Sequence, residues 1–188
     1  MTWTAPMTAV AGAVYTAAQY NTFVRDNLNE CAPAKASMIG SYFTTSDDNQ
    51  ISERQAVQAV VDQQDSFNST SYINPNGSST GNSPVTGPAV TVQTGSAAFV
   101  AVGGRIGGNA TAGDSVKMSW ACSGASSIAA SDTWAAGLVK LGQYSFAYCN
   151  RGYLATGLNP GMNTFTAKYA VSAGTGFASY RTILVMPF

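Results

Sequence analysis

Residues 164–171 read Thr-Phe-Thr-Ala-Lys-Tyr-Ala-Val, and this stretch decides the fold class because polar and apolar side chains alternate along it. The apolar side chains lie at every second position, at Phe165, Ala167, Tyr169 and Val171. The polar side chains between them are Thr164, Thr166 and Lys168. Successive side chains of a β-strand point to opposite faces of the sheet, so this alternation predicts a strand with one face in a core and the other in water.

Turn-forming residues bound this strand on both sides, as Asn159-Pro-Gly161 and Gly174-Thr-Gly176. Similar β-branched and aromatic runs, broken by Gly, Asn, Ser and Pro, recur from Ile39 to Phe188. The predicted strands lie near residues 39–45, 50–61, 89–94, 97–106, 115–122, 143–149, 163–171 and 177–186. We therefore predict a mainly β protein, an antiparallel, jelly-roll-like β-sandwich of about eight strands.

The first 36 residues follow a different pattern, that of one amphipathic helix. Apolar residues recur at helical spacing from Tyr20 to Leu28, and Thr16 can cap the helix start, which predicts a helix over about residues 16–30. Pro33 ends this region because proline has no N–H to donate. The predicted domains are an N-terminal arm, residues 1–36, and a β-sandwich module, residues 37–188.

A single amphipathic helix ahead of a self-sufficient β module needs a surface to cover its apolar face. We therefore predict that the arm docks on a larger assembly. The side chains expected to make this contact are apolar and belong to the helix or to the segment before it: Trp3, Met7, Tyr20, Phe23, Val24 and Leu28.

The composition also favours a protein that functions inside an assembly. Hydrophobic residues make up 45% of the 188 residues, charged residues only 10%, and the formal net charge is zero. An ordinary soluble domain has about 25% charged residues, and solubility of a free monomer normally depends on net charge. A neutral chain with so few charges is therefore expected to associate.

The same composition argues against two classes of partner. The nine Lys and Arg residues are scattered from Arg25 to Arg181, whereas a nucleic-acid surface needs them clustered. No apolar run reaches the roughly 18 residues that span a bilayer, and the N-terminus lacks the basic and apolar regions of a secretion signal. We expect a protein made in a cytoplasm that binds neither nucleic acid nor membrane.

Catalytic chemistry has little support in the sequence. Histidine is absent, which removes His-dependent nucleophilic catalysis and His-ligated zinc. Glu30 and Glu53 are the only glutamates, and the spacing of Asp47, Asp62 and Asp65 matches no EF-hand loop, so the acidic residues are interpreted as solvated turn residues. We expect no catalytic residue, no metal, no cofactor, and structural thiols at the three cysteines.

An aromatic stretch surrounds the last cysteine, and it leaves two interpretations open. Tyr144, Tyr148 and Tyr153 can belong to a packed strand or a subunit contact, which is the interpretation that ordinary strand composition favours. They can also stack on sugar rings and form a ligand surface. The three tyrosines are therefore the candidate ligand or partner surface of the β module.

Two groups of segments carry a family resemblance. The first runs from Trp3 through Pro6 to Gly12-Ala-Val-Tyr-Thr-Ala-Ala-Gln-Tyr-Asn-Thr-Phe-Val-Arg-Asp-Asn-Leu28, with Ala32-Pro33 after it. It resembles the N-terminal segment of small virion proteins of tailed bacteriophages, especially phages of actinobacteria. The second comprises Gly157-Leu-Asn-Pro-Gly-Met-Asn-Thr-Phe-Thr-Ala-Lys-Tyr169, Gly174-Thr-Gly-Phe177 and Arg181-Thr-Ile-Leu-Val-Met-Pro187. It is similar to the closing strands of phage fibre-tip and head-decoration modules.

This resemblance implies a non-enzymatic structural protein of a phage virion, made in the host cytoplasm and attached to the particle by its N-terminal segment. It also implies a homotrimer, with phage capsid or tail proteins as partners, in the role of capsid decoration, head fibre or minor tail protein. The alternative is an adhesin at the tail tip that binds a host carbohydrate or receptor. Because the chain has neither heptads nor a repetitive stalk, we expect a compact module close to its attachment point.

Overall fold

The computed structural model of the protein describes residues 4, 5, 7, 8, 10–31, 35–47, 50–75, 77, 78, 86–109, 113–139, 142 and 144–188. Contacts divide the chain into two units, Met1–Gln55 together with Phe188, and Ala56–Pro187. The boundary that the sequence predicts between arm and sandwich, at residue 36, stays a prediction. Trp3 and most of the polar loop 74–84 lie outside the described residues.

The described residues of the first unit form one helix and one hairpin. The helix is α-helical over Ala17–Tyr20, π-helical over Asn21–Arg25 and α-helical again over Asp26–Asn29. Strand β1, Tyr42–Asp47, pairs antiparallel with β2, Gln50–Arg54. The short N-terminal helix is found where its periodicity predicts it.

The second unit is built almost entirely of strands. They are β3 Val57–Val61, β4 Asp65–Phe67, β5 Gly77–Ser78, β6 Ala89–Thr94, β7 Ala97–Gly108, β8 Ser115–Gly124, β9 Ala136–Val139, β10 Ser145–Thr156, β11 Gly161–Val171 and β12 Gly176–Pro187. A 3₁₀ turn, Asp132–Trp134, precedes β9.

These strands form two antiparallel sheets. The first sheet has the order β10, β7, β12, β4 and β5, with β3 also paired to β12, and the second has the order β6, β11, β8 and β9. From β6 to β12 every connection crosses between the sheets except the one from β8 to β9. Repeated crossing of this kind is the topology of a jelly roll. The predicted fold class, a mainly β, antiparallel sandwich behind a short helix, is confirmed.

The core lies between the two sheets, and the strand at residues 164–171 contributes to it as its alternation predicts. Phe165, Ala167 and Tyr169 are fully buried. They meet Trp120 of β8, whose indole stacks on that of Trp134 with ring centroids 5.0 Å apart. Tyr153 of the first sheet lies 6.4 Å from the Trp120 ring and 5.3 Å from the Trp134 ring, so aromatic contacts join the two sheets.

The predicted strand at residues 50–61 is two strands in the structure. β2 ends at Arg54 and pairs within the first unit, whereas β3 begins at Val57 and pairs with β12. β4 and β9, at three and four residues, are too short to give a period of their own. The prediction of about eight strands therefore undercounts the strands of the described residues.

Candidate interaction surfaces

The N-terminal helix begins with a capping box. Thr16 Oγ1 accepts a hydrogen bond from the Gln19 N–H at 3.2 Å, and Gln19 Oε1 accepts one from the Thr16 N–H at 3.0 Å. These reciprocal bonds satisfy two amide donors that a helix start leaves without partners. The predicted cap at Thr16 is therefore confirmed.

The π turn decides which apolar side chains of the helix are exposed. Tyr20 is 55% exposed and Leu28 is 61% exposed, whereas Phe23 and Val24, which lie within the π turn, are half-buried. A π turn holds more residues than an α turn because its hydrogen bonds join i to i+5. A 3.6-residue period therefore does not place all four predicted residues on one face of this helix. Tyr20 and Leu28 form an exposed pair, and Phe23 and Val24 form a half-buried pair.

The segment before the helix is fastened to it by Asn27. Asn27 Nδ2 donates to the Thr4 carbonyl at 2.7 Å, and Asn27 Oδ1 accepts from the Thr4 N–H at 2.8 Å. Met7 is half-buried and lines a cavity of about 130 Å³ together with Val14 and Tyr15. The arm is thus a folded element in which the extended segment and the helix are joined.

Exposed apolar side chains are concentrated in this part of the chain. Seven of the fifteen large apolar side chains exposed among the described residues belong to a stretch of only thirty residues. They are Val10, Val14, Tyr15, Tyr20, Leu28, Met38 and Ile39. Five of them, from Val10 to Leu28, belong to the arm, where they are available for contact with another protein.

The three tyrosines of the aromatic stretch do not form one surface. Tyr148 of β10 is 74% exposed on the outer face of the first sheet. Tyr153 lies on the inner face, with its ring centroid 5.3 Å from that of Trp134. Tyr144 is exposed in the turn before β10 and has a positive φ of 57°. The strand period thus assigns Tyr153 to the packed interior and leaves Tyr148 on the surface.

Tyr180, which was not predicted from the sequence, lies next to Tyr148. The pairing of β12 with β7 shifts register between Ser179 and Thr182, so Tyr180 and Arg181 form a bulge. Tyr180, with φ at 49°, is turned outward, and its ring centroid lies 6.4 Å from that of Tyr148. The two rings flank a cleft of about 270 Å³ whose floor includes Gly103.

The same bulge turns Arg181 into the core. Its guanidinium is fully buried, donates to the Asp65 carboxylate and to the Gln63 carbonyl, and lies over the Tyr169 ring. The sequence-based interpretation of Asp65 as a solvated turn residue is therefore wrong, because β4 places it inside the sandwich. Burial raises the pKa of Tyr169, which stays neutral beside this ion pair.

The two sheets have outer faces of opposite character. On the second sheet, the outward residues are mostly polar: Thr91, Gln93, Lys117, Ser123, Thr164, Thr166 and Lys168. On the first sheet, Gln58, Arg105, Asn150, Ser179 and Thr182 are polar, but most large outward residues are apolar: Val60, Phe99, Ala101, Phe146, Tyr148, Leu154, Phe177, Tyr180, Leu184 and Met186. We call the latter set the apolar sheet face. An antiparallel sheet with one face in water normally alternates apolar and polar residues, so the apolar sheet face departs from that rule.

A signal for the apolar sheet face was present in the sequence. Ile183-Leu-Val-Met186 is an uninterrupted apolar run, unlike the alternating residues 164–171. Unbroken apolar runs in strands are typical of sheets that are covered on both faces. Tyr180, in contrast, had no such signal, because a bulge is a property of strand pairing rather than of local sequence.

The remaining candidate chemistry is sparse. The three cysteines are free thiols, with Cys122 buried, Cys149 half-buried and Cys31 exposed, and burial raises the pKa of both Cys122 and Cys149.

In the part of the chain that the structure describes, no three acidic, cysteine or histidine side chains are grouped so that they could hold a metal ion. No helix among the described residues is both long enough and apolar enough to cross a membrane.

No protein-family profile and no curated protein sequence matches the chain. Among solved structures, the chain is similar to the Eiger TNF of S. frugiperda, with 10% identity, a TM-score of 0.44, and coverage of 71% of this chain and 92% of the other. It is also similar to chains of infectious bursal disease virus. The Gx strain gives 8% identity and a TM-score of 0.45, and the VP2 subviral particle gives 8% and 0.43. Both matches cover 81% of this chain but only 37% of the virus chain. Likenesses at this level concern the arrangement of strands only.

Proposed function

We propose that the protein is a non-enzymatic structural protein of a bacteriophage virion, a trimeric accessory module attached to the particle by its N-terminal arm. Its role is that of capsid decoration, head fibre or minor tail protein. The observation that carries the proposal is the concentration of exposed apolar side chains between residues 10 and 39. The sequence resemblance at both ends of the chain and the absence of histidine support it.

The arm has the properties of an attachment element. Its helix start is capped, Asn27 holds the preceding segment, and Tyr20 and Leu28 remain exposed. A docking helix needs a rigid backbone and uncovered apolar side chains, because ordering a flexible segment on binding costs free energy. We assign the contact with the capsid or tail protein to Tyr20 and Leu28, with Phe23, Val24 and Met7 supporting the arm from inside.

A test uses the double variant Tyr20→Glu, Leu28→Glu in the full chain, produced during phage growth in place of the native chain. Purified particles are then assayed for the chain by quantitative mass spectrometry. Thr22→Glu, an exposed polar position of the same helix, is the matched control. We expect the control in particles at the native level and the double variant to be lost from them. Incorporation of the double variant at the native level would contradict the attachment role, and absence of the native chain would contradict the proposed function itself.

A further inference from the structure

The apolar sheet face is a feature of the described residues that attachment through the arm does not use. It is formed by β10, β7, β12 and β3 and lies entirely within the second unit. Among its described outward-facing residues, only Arg105 carries a charge, and the Arg105 guanidinium lies 4.2 Å from the centroid of the Phe146 ring. The face is therefore almost free of exposed charge.

Glycines flatten this face because aromatic rings pack directly over their backbone. A Cβ at Gly152 would lie 2.4 Å from the Phe99 ring, and one at Gly107 would lie 2.5 Å from the Phe146 ring. Both glycines occupy outward positions opposite other strands of the sheet. Because they have no side chain, Phe99 and Phe146 cover the backbone instead of projecting from it, which gives a broad planar aromatic surface.

The centre of the face combines projecting rings with a cleft. Tyr148 and Tyr180 project from it, and the cleft that both rings line also includes Gly103, Asn150 and Thr182. The positive φ of Tyr180 costs free energy, and the bulge that imposes it places Arg181 in the core and the Tyr180 ring on the outer face. Two neighbouring aromatic rings that are 74% and 53% exposed are available for a contact with another chain.

We infer that the apolar sheet face is the contact between copies of this chain, with Tyr148 and Tyr180 at its centre. The inference rests on the trimer of the proposed function and names the surface that forms it.

Charge and area both favour a second copy as the occupant. Because Arg105 is the one charge among its described outward-facing residues, the face meets the faces of neighbouring copies with little like-charge repulsion. β7, β10 and β12 each have 12 residues, so with about 3.3 Å per residue and about 4.8 Å between strands the face measures roughly 600 Å². Each partner of a specific interface contributes roughly 600–1,000 Å². Because the face carries both projecting rings and a cleft, it can supply both halves of a heterologous contact, in which the rings of one copy meet the cleft of the next, and contacts of this kind close a three-fold ring.

The inference also explains the difference between the two outer faces. If the copies meet through the first sheet, the second sheet faces water, and its outward threonines and lysines suit that position. Thr91 and Thr164 share a hydrogen bond of 2.8 Å across two of its strands, and Lys168 donates to Asn74 at 2.9 Å. Thr91, Thr164 and Lys168 thus have hydrogen-bond partners within one chain.

The test compares Tyr148→Glu with Met162→Glu in the full chain. Met162 is an exposed apolar side chain of the second sheet, so the two variants make the same kind of change on opposite faces. By sedimentation equilibrium, the native chain and Met162→Glu are expected to be trimers. Tyr148→Glu is expected to raise the concentration of half-dissociation by about 30-fold or more, as for the loss of an interface hot spot. A far-UV circular dichroism spectrum equal to that of Met162→Glu shows that the variant is folded.

A second measurement does not depend on the stability of the charged variant. A photo-crosslinking amino acid at position 148 should join two copies of the chain, and the same probe at position 162 should not. An undiminished trimer in Tyr148→Glu, equal crosslinking from both positions, or a monomeric native chain would each overturn the inference. With an undiminished trimer or with equal crosslinking, the attachment role would still be supported if the double variant Tyr20→Glu, Leu28→Glu is lost from particles. Conversely, a trimer that dissociates as expected but is absent from particles would contradict the proposed function and leave the interface standing.

Discussion

Asp65 and Arg181 are the residues whose environment differs most from what the sequence indicates. Both are fully buried, and each is placed by pairing that is distant in sequence: Asp65 opposite Ala178, and Arg181 by the bulge in β12. A buried charge is tolerated when its partner is in place, but removing one partner leaves the other charge buried without compensation. The local sequence around Asp65 resembles a turn, so this role could not be predicted without the strand pairing.

Asp65→Asn is expected to lower the free energy of unfolding by about 3–5 kcal/mol, because Arg181 then remains buried and charged without a carboxylate. Urea denaturation followed by circular dichroism measures this difference. Asp62→Asn is the control, since residue 62 is exposed and surface substitutions usually change stability by less than about 0.5 kcal/mol. Similar small effects of both substitutions would contradict the role of the ion pair.

Glu53 gives a prediction about pH. Its carboxylate accepts hydrogen bonds from the Ser37 hydroxyl, the Ser41 hydroxyl and the N–H groups of Ser37 and Met38, which lower its pKa from 4.5 to about 2. A group whose pKa is lowered by folding stabilises the fold above its unfolded pKa, and this contribution is lost as the pH falls from 4.5 towards 2. An NMR titration of the Glu53 side chain should therefore have its midpoint near the lower value. A midpoint near 4.5 would show that residues 37–41 are not held by Glu53.

At the scale of elements, the helix was predictable in place but not in the orientation of its side chains. The cap at Thr16 and the apolar period fix where it lies, because both are local properties. The π turn over Asn21–Arg25 is not signalled by any residue that forces it, and it determines that Leu28 is exposed while Val24 is half-buried. The strands follow the same rule. β6 has the predicted bounds, whereas the break between β2 and β3 follows from their different partners.

The variant Gly107→Ala tests whether the first sheet needs a residue without a side chain next to the Phe146 ring. In Gly107→Ala, the new Cβ would lie 2.2 Å from the Ser145 carbonyl oxygen and 2.5 Å from the Phe146 ring. Since the carbonyl belongs to the paired backbone of β10, we expect a loss of about 1–3 kcal/mol, as for overpacking of a well-packed site. Thermal unfolding followed by circular dichroism measures it.

Gly137→Ala provides the comparison for this effect. Gly137 also lies in a strand, but a Cβ there would come no closer than 3.6 Å to its neighbours, the Lys117 side chain and the Val116 carbonyl. We expect unfolding close to that of the native chain. If both alanines lower the unfolding temperature equally, steric contact of the new Cβ with Ser145 and Phe146 does not explain the effect at Gly107.

At the scale of the whole molecule, composition predicts association, and the fold shows where apolar surface is available for it. A net charge of zero and 10% charged residues favour contact with other chains without locating it. The sandwich locates a candidate, because it gathers outward apolar residues of β7 and β12 and Tyr148 of β10 on one outer face. Only strand order and register bring these residues together, so the apolar sheet face could not be assembled from sequence patterns alone.

The most direct measurement of the proposed function is electron cryomicroscopy of purified phage particles that contain the chain. We expect density for the sandwich on the particle surface as three copies around a symmetry axis, with Tyr148 and Tyr180 between the copies and Tyr20 and Leu28 against a capsid or tail protein. Particles that lack the chain, or that carry it as isolated single copies held through the β-sandwich, would contradict the account.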